Sequence, residues 1–121
     1  MNIEELREHC LSIKGAHECF PFDDTVLVFK VMEKMFAYIG LEPKDNVLRV
    51  NLKCDPSRSE ELRDQYAGVG TGVHAAKSLL WNAVELESDV PGELIRELVN
   101  HSAEEVIKKL PKKKQEEYKS F

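Results

Sequence analysis

Thr25-Val26-Leu27-Val28-Phe29-Lys30-Val31, followed after Met32-Glu33-Lys34 by Met35-Phe36-Ala37-Tyr38-Ile39, is the stretch on which the fold turns. Both runs are rich in β-branched and aromatic side chains, which suit a pleated, half-buried surface. So short a separation predicts a hairpin. Gly40 to Asn46 contains glycine, proline and an Asp-Asn pair, the composition of a further turn. Val47-Leu48-Arg49-Val50-Asn51-Leu52-Lys53 then reads as a third strand. Leu48, Val50 and Leu52 alternate with Arg49, Asn51 and Lys53, which predicts one buried and one wet face.

Working outward, Asn2 is placed to cap a first helix, with Glu4 and Glu5 in its first turn. Ile3, Leu6, Cys10 and Ile13 share one face, and Gly15 ends it. Phe20-Pro21-Phe22-Asp23-Asp24 reads as a loop. Asp55-Pro56 opens a second helix, carried over residues 57–66 with Leu62 and Tyr66 inward. Gly68-Val69-Gly70-Thr71-Gly72 predicts a flexible, tightly turning loop. Residues 76–81 are ambiguous, and Trp81-Asn82-Ala83-Val84-Glu85-Leu86 reads as another strand. Pro91 starts a helix with Leu94, Ile95, Leu98 and Val99 as its apolar stripe. Ser102-Ala103-Glu104-Glu105 matches a capping box, which predicts a fresh helix there, and Pro111 interrupts it before an exposed, lysine-rich end. This order predicts an α+β fold, a two-layer sandwich with helices on one face of an antiparallel sheet. With no repeat or linker, residues 1–121 read as a single domain.

The 121 residues are 42% hydrophobic and 32% charged, the composition of a globular chain. No apolar run approaches the roughly 20 residues of a membrane-spanning helix. The acidic, mixed N-terminus does not resemble a secretory signal, so a cytoplasmic, membrane-free monomer is expected. Cys10, Cys19 and Cys54 are an odd number, which cannot close a disulfide framework. Neither their spacing nor the four histidines forms a zinc signature, and no metal site is expected.

Charge is uneven. Residues 108–121 hold six lysines and two glutamates, a balance of +4, against eleven basic and twenty acidic side chains before them, a balance of −9. An acidic body opposes non-specific nucleic-acid binding, which depends on neutralising phosphates. The basic end leaves a local contact open, and a solvated helix end with cations near its C-terminus explains the same lysines.

Catalytic signatures are absent: there is no dinucleotide fingerprint, Walker A sequence, H-E-x-x-H or G-x-S-x-G. Neither an enzyme nor a cofactor is therefore expected. Cys54 precedes a helix start, where the dipole lowers a thiol pKa, or it simply ends a strand. His74, Lys77, Trp81 and Asn82 gather beside the glycine loop. Their chemistry suits proton exchange, anion contact, ring stacking and hydrogen bonding respectively. The plainer alternative is a core tryptophan and a histidine that satisfies loop backbone.

Taken in order, several of these segments resemble the MmcQ/YjbR family. They are Phe20-Pro21-Phe22-Asp23, the strand into Val28-Phe29-Lys30-Val31, Lys34-Met35-Phe36-Ala37 and Asn51-Leu52-Lys53-Cys54-Asp55-Pro56. They continue with His74-x-x-Lys77, Trp81-Asn82-x-Val84, His101-Ser102 and Leu110-Pro111-Lys112-Lys113. The chain departs from the family pattern at Thr71-Gly72, where a proline often precedes the glycine, and at Leu79-Leu80, where a polar or aromatic pair is common. The resemblance implies a frataxin/CyaY-like sandwich. Members are commonly labelled DNA-binding, a label that leans on fold analogy. Lys53, His74, Lys77, Trp81 and Asn82 match the family's polar pattern.

Three functions follow as expectations. The first is a protein- or small-ligand-binding domain using the open sheet face and the glycine loop. The second is a DNA-binding module contacting nucleic acid through Lys53, the 74–82 segment, Lys112 and Lys113. The third is an enzyme centred on His74 or Cys54.

Overall fold

The computed structural model describes residues 1–72 and 80–121. Its elements run α1 (Ile3–Ser12), β1 (His17–Cys19), β2 (Val26–Val31), β3 (Lys34–Gly40), β4 (Arg49–Lys53), α2 (Pro56–Gln65), β5 (Val69–Thr71), β6 (Trp81–Glu85), α3 (Gly92–Lys108) and α4 (Lys112–Lys119). The strands form one antiparallel sheet in the order β1-β2-β3-β4-β6-β5. Leu6 and Cys10 of α1, Leu62 of α2, and Ile95, Leu98 and Val99 of α3 bury against Leu27, Phe29, Ile39, Val50, Leu52 and Val84 of the sheet. This is the α+β architecture expected.

The hairpin forms as its composition predicts. Val31 pairs with Lys34, which leaves Met32 (φ 50°) and Glu33 (φ 65°) as a two-residue loop. Both are left-handed, the backbone that matches the twist of the flanking strands. Farther along, Phe29 pairs with Ala37 but Lys30 with Met35, so Phe36 is the extra residue of a bulge. Its ring joins the helix-side core. The β3–β4 ladder accordingly stops at Ala37–Leu52. The Phe36 carbonyl and the Lys53 amide lie beyond it, and the buried Ser102 hydroxyl satisfies both, donating to Phe36 O (2.5 Å) and accepting from Lys53 N (2.8 Å).

That contact corrects the reading of 102–105 as a helix start: α3 runs unbroken from Gly92 to Lys108. A serine can bond the sheet as readily as a helix end, and α3's burial decides which. Its neighbour His101 accepts from Asp55 N through Nε2 (3.2 Å), at the start of α2.

Other expectations change too. α1 has its capping box, with Asn2 and Glu5 as reciprocal partners, but ends at Ser12. Gly15 (φ 77°) sits in the following turn. β1 is a short edge strand that its composition did not suggest. The glycine segment is not a flexible loop over its whole length: Val69–Thr71 is a strand paired with β6. Two of its glycines answer to close packing. A Cβ on Gly72 would meet the Trp81 Cβ at 2.7 Å, and one on Gly68 would collide with the Ser88 side chain. Asp89 holds the same turn by accepting from Ala67 N and Gly68 N, each at 2.8 Å. The lysine-rich end is exposed, as expected, but helical. α4 is moored by Tyr118, whose hydroxyl donates to Lys14 O (2.8 Å) while the Lys14 ammonium lies 4.6 Å from its ring. The ambiguous segment's residues 76–79 lie outside the described residues. Among those described, no helix is long and apolar enough to cross a membrane.

Candidate functional site

Strand alternation, shifted in β3 by the Phe36 bulge, sends Val26 and Val28, then Met35 and Tyr38, and then Asn51 and Trp81, to the sheet face opposite the helices. That face is not simply wet, as the third strand's alternation predicts. Val28, Tyr38 and Trp81 form a second buried cluster, with Cys19, Val26 and Met35 packed on it. The Tyr38 and Trp81 rings lie 5.4 Å apart, inclined at 52°. Asn51 is buried among them and donates to Tyr38 O (3.4 Å). A polar residue on an exposed-looking face is thus buried, with Tyr38 across one ladder and Ala83 across the other.

Beside this cluster the sheet carries a cleft of about 870 Å³. Val26, Met35, Tyr38 and Asn51 line it from the strands, with Gly40 and Arg49 at their ends. Phe22 and Asp23 line it from one loop, and Glu42, Pro43, Lys44 and Asp45 from another. Backbone bonding ties the two loops together at their bases, Leu41 N donating to Thr25 O (2.7 Å). Each is also braced by an aspartate. Asp23 accepts from Thr25 N (2.7 Å) and Thr25 Oγ1 (2.5 Å). Asp45 accepts from Val47 N (3.1 Å) and Arg49 Nη2 (2.8 Å). The bond from Thr25 and that from Arg49 are the chief causes that hold Asp23 and Asp45, respectively, below the ordinary carboxylate value. Phe22, at the rim, is 67% exposed. Pre-formed, mostly apolar concavities of this size suit small ligands.

The residues singled out in sequence are dispersed. Lys53 and Trp81 pair in register, Lys53 half-buried and Trp81 only 9% exposed. Asn82 points the other way, toward α2. It is 2% exposed, accepts from Arg63 Nε (2.8 Å) and donates to Ser59 Oγ (3.1 Å). Lys112 and Lys113 are exposed on α4, which Tyr118 moors to Lys14 in the turn after α1. His74 and Lys77 lie outside the described residues. Cys54 is buried, and burial, opposed by a hydrogen bond with Ser59, raises its thiol pKa in place of the lowering a helix dipole would bring. Burial pushes Cys10 up to about 12. Among the described residues no three His, Cys, Asp or Glu side chains gather as metal ligands.

Of the cleft's lining, the sequence points only to Arg49 and Asn51, polar positions of the third strand that with Lys53 either extend a binding surface or form the strand's solvent side. The available signal was Phe20-Pro21-Phe22-Asp23, two aromatics in a loop that the structure leaves exposed.

A YjbR family model matches residues 11–103. The chain is 31% identical over 114 residues to the uncharacterised protein YjbR of Escherichia coli K12, covering 94% of each. It is 30% identical to the uncharacterised protein YbdF of Escherichia coli O157:H7, covering 93% of this chain and 89% of that one. Among solved structures, Deinococcus radiodurans protein DR2400, a DUF419 domain, superposes with a TM-score of 0.87 at 36% identity, over 97% of this chain and 87% of that one. A Pseudomonas syringae protein shares the fold, with a TM-score of 0.73 at 19% identity, over 86% of this chain and 97% of that one.

Proposed function

The chain belongs to the YjbR family, and we propose that it is a small binding protein whose open-face cleft receives a small ligand or a short protein segment. The cleft itself carries this reading: about 870 Å³, an apolar floor, and two loops held by Asp23 and Asp45. It sets an aromatic rim over that floor while its polar groups stay few, the balance that binds and orients a ligand. Arg49 is tied to the loop beside the cleft by one Nη2 bond to Asp45 at 2.8 Å.

The test is an NMR screen of small organic fragments and capped tripeptides against isotope-labelled protein. Binding that shifts the Val26, Met35 and Tyr38 signals supports the reading. Binders that shift only signals elsewhere would overturn it.

Lysines Lys112 and Lys113, exposed on one turn of α4, favour nucleic acid as a second reading. Labelled single- and double-stranded DNA, titrated at low and moderate salt, tests it. Salt-sensitive binding weakened by K112A/K113A supports this reading, and no binding at low salt excludes it.

A further inference from the structure

We infer that α4 is a strap latched at Tyr118, which opens as a unit to uncover a groove between α1 and α3 while the rest of the domain stays folded. That groove shares no lining residue with the open-face cleft.

Little in α4 holds it as a helix by itself. It is eight residues long, short of the roughly 12 to 15 that an isolated helix needs. Lys112, Lys113 and Lys114 place three cations in its first turn, at the positive end of the helix dipole. The pair Lys114–Glu117 (3.6 Å) is exposed and offsets this weakly. Among the described residues of α4 none is buried, and Tyr118 is the one that packs on the helix-side core.

Docking therefore depends on Tyr118. Its hydroxyl donates to Lys14 O (2.8 Å), the Lys14 ammonium sits 4.6 Å from its ring, and the Phe121 ring stands edge-on to it at 5.6 Å. At the other end of α4, Gln115 donates to Leu110 O (2.8 Å) and Lys108 O (3.3 Å), across the turn at Pro111. A helix held by one latch and a local cap opens at less cost than the domain unfolds.

Tyr118 is one wall of a groove of about 430 Å³, which His9 and Ile13 line from the α1 side and Asn100 and Ile107 from α3. The groove does not need α4 to keep its shape. His9 Nε2 and Asn100 Oδ1 lie 2.9 Å apart across it, and Leu6, Cys10 and Val99 lock α1 and α3 into the common core. Withdrawing Tyr118 widens the groove and bares Ile13 and Ile107, both partly buried against that core.

Native-state amide hydrogen exchange of the full chain, followed by NMR with rising sub-denaturing urea, tests the strap. The amides of Gln115 to Lys119 are expected to share one protection, lower than that of β4 and with a shallower urea dependence. Tyr118→Phe keeps the ring and loses the hydroxyl bond, so exchange in α4 should rise about fivefold, the worth of one hydrogen bond. In Tyr118→Ala, a water-soluble nitroxide should broaden the Ile13 and Ile107 methyl signals more than in the parent. Exchange in α4 with the protection and urea slope of β4 would mean that the helix leaves only on global unfolding, and would overturn the strap. Protection graded toward the end of α4 would overturn it too, as fraying. Unchanged α4 exchange in Tyr118→Phe would overturn the latch. Unchanged broadening of Ile13 and Ile107 in Tyr118→Ala would overturn the covering of the groove.

Discussion

The Ser102 hydroxyl donates to the Phe36 carbonyl across 2.5 Å, a bond between the middle of α3 and the bulge in β3. The same oxygen accepts from Lys53 N, so one side chain closes the sheet where the β3–β4 ladder gives out. Ser102→Ala would leave a buried carbonyl and an amide without this partner. The expected cost is about 2 to 4 kcal/mol, measured as a shift in the urea midpoint at constant slope. A loss within experimental error would mean that the bond does not hold α3 to the sheet.

The Met32–Glu33 loop leads to a gain of stability. Glu33 is exposed with φ 65°, a conformation costly for a residue with a Cβ and easy for glycine. Glu33→Gly relieves that cost but loosens the unfolded chain. The net expectation is a stabilisation of about 0.5 to 1 kcal/mol by thermal or urea unfolding. Destabilisation would show that the loop is not left-handed at this position.

Asp89 links the turn before β5 to pH. Hydrogen bonds from the Gly68 and Ala67 amides lower its carboxyl below the ordinary value of 3.8. A carboxyl lowered on folding adds stability above its unfolded pKa and loses it as pH falls through the folded value. Asp89→Asn should therefore unfold at lower urea than the parent at pH 7, and the gap should close as pH drops below about 3.8. A gap that stays constant down to pH 2.5 would assign the difference to something other than the carboxylate.

How much of this was legible depended on where a residue's partner lay. The hairpin and the apolar stripe of α3 follow from local periodicity and formed as read, while the third strand formed over the shorter span Arg49–Lys53 with Asn51 buried on its expected wet face. Ser102 did not, because its partners are 66 and 49 positions away, and locally it matches a cap. Gly68 and Gly72 suggest flexibility in sequence. Their reason is steric, set by Ser88 and by Trp81 across a ladder. Asn51 alternates as a surface residue but is buried beside Tyr38. The same applies to the cleft. Its lining comes from two loops and three strands, each an ordinary element by itself, and only the fold assembles them.

Gly40 gives the most direct test of the cleft as the binding site. It lines the cleft, and a Cβ built on it meets nothing within 4 Å, so a large side chain there can enter the opening without disturbing the sheet. The measurement is the ligand-induced rise in melting temperature for the fragments that bind, in the parent and in Gly40→Trp. The account predicts a folded Gly40→Trp variant, with amide signals of the helix layer unchanged, in which those rises disappear. Undiminished rises in that folded variant would contradict it and move the binding site elsewhere on the molecule.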